Sequence, residues 1–204
     1  MASLRPIRPE HETPTPIHLR ALDDLRFIRE TMERSGSFTA ISGLGEMLVG
    51  VSAVVAAIMA SFQSGDGRWL SVWLGEAVLA LSLTGIFAAT KAGRGGERLL
   101  SRPGRQVAGG LTPPLVAGLV LTIALSSAGA TELLPGLWLL LYGTGVVTAG
   151  AFSVRVVPVM GLAFMGLGSL AFVTPDHWRD LMLALGFGGL HLIFGAIIAR
   201  RYGG

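Results

Sequence analysis

The sequence contains no cysteine. That excludes disulfide frameworks, iron–sulfur clusters and thiolate metal sites. Charge is scarce too: 14% of the residues are Asp, Glu, Lys or Arg, against about 25% in a typical soluble domain. Strand-length alternation of polar and apolar residues is missing, which excludes a transmembrane β-barrel. The first 37 residues lack an apolar stretch of the signal-peptide kind, so the first membrane helix is expected to serve as its own insertion signal.

What is present points to lipid. The 204 residues are 51% hydrophobic, and their mean hydropathy is +0.61. The 29 glycines suit helices that approach closely in a bilayer. Six apolar runs, near 38–62, 69–90, 112–130, 135–152, 157–173 and 180–199, match the roughly 17–25 helical residues that span a bilayer core of ~30 Å. Only helices satisfy their own backbone there. Short connectors make consecutive helices antiparallel neighbours. Pro113–Pro114, Pro135, Pro158 and Pro175 are expected at or just inside helix starts, where a missing N–H costs little. The expected class is therefore all-α, a bundle of six transmembrane helices over residues 37–204.

Two segments precede the bundle. Residues 1–17 are rich in proline and charge and are expected to be a disordered tail. Residues 18–36 set Leu19, Leu22, Leu25, Ile28 and Met32 at roughly helical spacing among acids and arginines, the pattern of an amphipathic helix at the cytoplasmic face. Gly36 is placed to break that helix and turn the chain into the first span.

Basic residues set the expected orientation. The N-terminal segment, the 91–110 loop, the turn at Arg155 and the Arg200–Arg201 tail carry fourteen of the sixteen, all on one side of a six-span topology. Only Arg68 and Arg179 fall on the other, beside Asp66, Glu132, Asp176 and Asp180. Positive charge gathers on the cytoplasmic side, so both termini are expected inside. The net charge of +3 then reports topology and anionic lipid rather than nucleic acid.

Three ionisable residues fall within spans: Glu46, Glu76 and His191. Such residues usually face the protein interior. The face of Glu46 carries Ser42, Gly50, Ala53 and Ala57, and that of His191 carries Ala184, Gly188, Gly195 and Ala199. Small residues of this kind line buried helix contacts. At ~1.5 Å per residue, Glu46 lies about 12 Å from the inner edge, Glu76 about 10 Å from the outer edge and His191 about 16 Å in. Two carboxyls close together in low dielectric cannot both ionise easily, so the three suit a proton or ion pathway, or a structural hydrogen-bonded contact with Ser52, Ser82 and Thr84. No Glu-x-x-His or His-x-x-x-His spacing supports a metal, and no serine–histidine–acid set supports hydrolysis. The block G-R-G-G from Gly93 to Gly96 follows a membrane helix, not a strand, and reads as a basic loop. Thr174 is expected to cap the last helix, with Trp69 and Trp178 at the lipid interface and Tyr202 as their inner counterpart.

The stretches L-R-F-I-R-E-T-M-E-R-S-G-S-F-T-A (Leu25 to Ala40) and G-G-L-H-L-I-F-G-A-I-I-A-R-R-Y-G-G (Gly188 to Gly204) resemble a group of uncharacterised bacterial multi-pass membrane proteins. The resemblance implies six membrane helices, a short cytoplasmic N-terminal helix and a bacterial inner-membrane location. It brings no activity or cofactor.

Three functional readings follow. The first is a scaffold or regulatory protein whose cytoplasmic helix, through Arg26, Arg29, Glu30 and Glu33, binds a protein partner. The second is a small proton- or ion-coupled transporter using Glu46, Glu76 and His191, for which a homodimer is expected at this size. The third, an intramembrane enzyme or metal site, ranks last, and no cofactor is expected.

Overall fold

The computed structural model describes residues 22–28, 41–94 and 101–202. Residues 22–28 are helical with every side chain exposed. The rest of the 18–36 helix, including Arg29, Glu30, Glu33 and Gly36, lies outside the described residues, as does the 1–17 tail.

From residue 41 onward the described chain is helical and contains no strand. We label the helices α1 (Gly43–Ser61), α2 (Asp66–Arg94), α3 (Arg102–Ala128), α4 (Leu134–Gly150), α5 (Val156–Ala171) and α6 (Asp176–Tyr202). A 3-10 turn at Thr131–Leu133 leads into α4. α6 is composite: a 3-10 turn, a short α segment, a π-helical stretch at Ala184–Leu190, then α-helix from His191. Five of the six are long and apolar enough to cross a membrane; α5, at 16 residues, is shorter.

Several boundaries differ from the sequence expectation. α1 starts at Gly43, where Ser42 accepts a hydrogen bond from the Gly45 N–H, so Glu46 sits in the first turn. α2 and α3 run past their apolar stretches. Lys91 and Arg94 occupy the last turn of α2, favourable to the helix dipole, and Ser101 caps α3. Pro113 and Pro114 consequently fall inside α3 rather than at its start. A proline there strips the carbonyl four residues back of its partner; for Pro114 that carbonyl is Gly110 O, which the Thr148 hydroxyl of α4 approaches at 3.1 Å while also facing Thr144 O of its own helix at 2.8 Å. Thr174 does not cap α6: its hydroxyl donates back to Ala171 O, closing α5, and Pro175 holds the cap position without a side-chain bond. Pro135 stands in the first turn of α4, as expected.

The packing is built on two glycine seams. On the first, α1 lies antiparallel to α6. A Cβ on Gly50 would stand 2.8 Å from Gly188 O, and one on Gly195 would stand 2.9 Å from Met47 N. On the second, α4 lies antiparallel to α5. A Cβ on Gly143 would stand 2.7 Å from Gly161 O, and one on Gly168 would stand 2.7 Å from Leu140 N. Glycine recurs every seven residues on each strip (43 and 50; 188 and 195; 136, 143 and 150; 161 and 168), which keeps one face toward its partner over successive turns. In lipid there is no hydrophobic drive between helices, so such close contact supplies the attraction.

α2 packs on α1, α3 packs on α4, and α6 meets α5. α2 and α3 barely touch although they are consecutive. Large apolar side chains, among them Val55, Ile58, Val78, Leu81, Val120, Ile123 and Leu162, cover the outside. That is the surface of a bundle solvated by lipid, not water.

Candidate functional site: a buried Glu–His–Tyr chain

The α1–α6 seam carries the polar site. Glu46 is 9% exposed and His191 is 1% exposed. Gly195 lets α6 come close enough that its Cβ position would lie 3.0 Å from Glu46 Cβ. Nε2 of His191 stands 3.5 Å from Oε2 of Glu46 and 2.8 Å from the hydroxyl of Tyr142 on α4. When that nitrogen is bare, the Tyr142 hydroxyl donates to it; when it carries a proton, it can donate to the hydroxyl and stands beside the carboxylate as its ion-pair partner. Nδ1 of His191 is buried without a hydrogen-bond partner. The imidazole and the phenol share one hydrogen bond, and a proton reaches Glu46 when the 3.5 Å gap to His191 shortens.

Aromatic rings hold the histidine in place. Its ring lies 5.5 Å from Tyr142, 5.3 Å from Phe164 and 6.3 Å from Phe187. Phe187 belongs to the π-helical stretch immediately before His191, a local widening often found beside functional residues. Phe187 also contacts Trp73, so rings continue from the histidine toward the other end of the bundle.

Glu46 and Tyr142 also border a cavity of about 330 Å³. Ser42, Gly45 and Glu46 line it from α1, Thr84, Gly85, Phe87 and Ala88 from α2, and Gly104, Val107, Ala108 and Leu111 from α3. Tyr142 and Met160 are among the residues that α4 and α5 add. It occupies the half of the bundle that ends in Lys91, Arg94, Arg102, Arg105, Arg155, Arg200 and Arg201, where α2 and α3 stand apart. Glu46 and Tyr142 are its titratable lining groups.

Of the three sequence candidates, the fold joins two and separates the third. Glu76 is buried on α2, where Ser52 of α1 donates to its Oε1 at 2.8 Å. Among the described residues no hydrogen bond or ion pair links it to Glu46 or His191. Nor do three His, Asp or Glu side chains among the described residues gather around a common point as metal ligands would. Arg26 lies on the exposed helical segment 22–28.

The opposite end is closed by a clasp that sequence reasoning missed. Asp180 Oδ1 accepts from the indole N–H of Trp69 at 2.7 Å and of Trp73 at 3.2 Å. Asp66 accepts from Thr131 at 2.6 Å and from Arg179 at 3.2 Å. The Arg179 guanidinium also covers the Trp69 ring, 4.6 Å from its centroid. Trp69 stacks on Trp138, whose N–H donates to Thr122. Trp69 is therefore fully buried and is no interfacial anchor: its polar edge meets Asp180 rather than headgroups. Trp178 is exposed, as expected. The hydrogen bond from Thr131, then that from Arg179, holds the Asp66 carboxyl below the usual carboxylate range.

Tyr142 was the second omission. Its signal was a lone phenol in an apolar span, since a buried tyrosine hydroxyl needs a polar partner. Comparison with family models, with curated proteins and with solved structures returns no match for this chain.

Proposed function

We propose that this chain is a small proton-coupled membrane carrier whose exchange site is the Glu46–His191–Tyr142 chain. One observation carries the reading. A buried carboxyl and a phenol, with the imidazole of His191 beside both, line a cavity toward one end of the bundle, while rings and the Asp66–Asp180 clasp fill the other end. A site reached from one side and blocked on the other is the arrangement alternating access requires.

The membrane topology is part of the proposal. α5 runs along the whole of α4, from Gly168 against Leu140 to Pro158 against Gly150, which supports six crossings. Seven basic residues at the cavity end, against Arg68 and Arg179 at the clasp end, support a cytoplasmic placement of the cavity and of both termini. The bacterial inner-membrane setting rests on the resemblance of the two chain ends, and a homodimer is the expected working unit.

The test is proton movement in proteoliposomes loaded with a pH-sensitive dye. The parent is expected to dissipate an imposed pH gradient. Glu46→Gln should lower the rate at least about tenfold, the loss expected when a group essential to proton transfer is removed. Glu76→Gln, outside the chain, should stay within about twofold, well under 1 kcal/mol. No flux in the parent, or an unchanged rate in Glu46→Gln, removes the proposal.

A second reading, the partner-binding scaffold, draws on the segment 22–28, where Leu22, Leu25 and Ile28 are more than half exposed. An apolar helix face left open in this way suits a membrane surface or a protein groove. Deleting residues 1–35 should then abolish function in cells while leaving the bundle inserted and folded.

A further inference from the structure

Glu46 is nine-tenths buried, and among the described residues no hydrogen bond reaches either of its oxygens. Nε2 of His191, at 3.5 Å, is beyond hydrogen-bond distance. Burying a carboxylate without a partner is costly, so its charged form needs a cation close by. Among the described residues only a protonated His191 can serve. The titratable groups facing Glu46 are His191 from α6 and Tyr142 from α4; the cavity-lining residues of α2, α3 and α5 include none.

The cavity around the carboxyl has a consistent chemistry. Its wall is made of Val107, Ala108, Leu111, Val146, Met160 and similar apolar side chains. Its volume of about 330 Å³ falls at the small end of the roughly 300–1,000 Å³ range of ligand pockets. A ligand that satisfies both features has an apolar body and one cationic hydrogen-bond donor.

We infer that the cavity binds a small lipophilic amine, its ammonium group on Glu46 and its apolar body between α2, α3 and α4. The inference rests on the same site as the carrier reading and names its substrate class. The ammonium takes over as the cation beside the carboxylate, and the proton shared by Glu46 and His191 leaves to solvent. One proton departs for each ammonium bound, and no covalent bond changes other than that to the proton. The arginines at this end oppose entry of a free cation from water. The gap where α2 and α3 barely touch admits the amine from the bilayer.

The experiment compares three probes of one shape on the purified full chain in detergent: 4-phenylbutylamine, 4-phenylbutan-1-ol and 4-phenylbutyrate. Calorimetry against protein-free micelles measures affinity, and an indicator dye in weak buffer measures proton release. The amine should bind at least about tenfold more tightly than the alcohol, as expected for a desolvated charge pair, with about one proton released per molecule bound. Glu46→Gln should lose that preference and the proton. Gly85→Leu keeps the carboxyl and tests the cavity itself. Gly85 lines the cavity, and a Cβ there meets nothing within 4 Å, so the variant should fold normally and bind none of the probes. Equal binding of amine and alcohol, tighter binding of the butyrate, or undiminished amine binding in Gly85→Leu overturns the assignment. Amine binding with proton release but without flux in proteoliposomes keeps the site and sinks the carrier reading. Proton flux in a protein that binds no amine does the reverse.

Discussion

The α1–α6 and α4–α5 pairs solve the same packing problem and differ in one respect. Both are antiparallel, and both bring backbones together through glycines seven residues apart. Along the α4–α5 seam the only acidic, basic or histidine side chain is Arg155, in the connecting turn. The α1–α6 side carries Glu46 and His191 between its glycines. Asp180 holds two tryptophans at one end, and Lys91 donates to Ile41 O and Tyr202 O at the other. Since α4 and α5 pair without such groups, close pairing does not require them. The glycines account for the seam, and the carboxyl and imidazole call for a different explanation.

The broadest way to break this comparison is to wedge the seams. Gly50→Leu and Gly143→Leu each drive a side chain into the facing backbone, and each should cost about 3 kcal/mol or more, at or above the upper end for overpacking. Thermal unfolding in detergent should show similar losses for both. A tolerant α1–α6 seam would mean that its polar groups, not its glycines, hold it.

Removing the clasp acid comes next. Asp180→Ala leaves the indole N–H groups of Trp69 and Trp73 without their acceptor, at a cost of about 1–3 kcal/mol. A lower melting temperature and altered tryptophan emission would report it. Glu46→Gln should be milder, under about 1.5 kcal/mol, because the amide fills the same space and no hydrogen bond to the carboxyl is lost. The contrast between small stability loss and large flux loss is the sharpest form of the comparison; a collapse of the bundle would assign Glu46 to structure.

The smallest effect belongs to Asp66. Its folded value lies below the ordinary 3.8, so its contribution is complete above about pH 4 and fades as pH falls through the lower folded value. Because Asp66 is 54% exposed, solvent screens the pair and the contribution is at most about 1 kcal/mol. The melting temperatures of parent and Asp66→Asn should differ slightly at neutral pH and converge in acid.

How much of this was legible in the sequence depends on the kind of signal. Apolar runs located the helices, because length and hydropathy are local properties. The small-residue faces around Glu46 and His191 marked both as buried, since that pattern repeats within one helix. The partnership of His191 with Tyr142 was not legible, because it joins residues 49 positions apart on helices whose contact no local pattern encodes. Trp69 was misread for a related reason. A tryptophan near the end of an apolar run suggests an interface, and only the approach of Asp180, 111 positions away, turns it inward. Pro113 and Pro114 were misplaced because the helix starts at the Ser101 cap, about eleven residues before the apolar run that suggested its start.

The pairing of the first span with the last has a consequence for how the chain is made. Glu46 leaves the ribosome about 145 residues before His191, an interval of about 7–30 s at 5–20 residues per second. During that interval α1 has α2 for company but neither its glycine-faced mate nor its imidazole. Until the last helix arrives, Glu46 therefore has to be accommodated without the imidazole that stands 3.5 Å from it in the finished bundle.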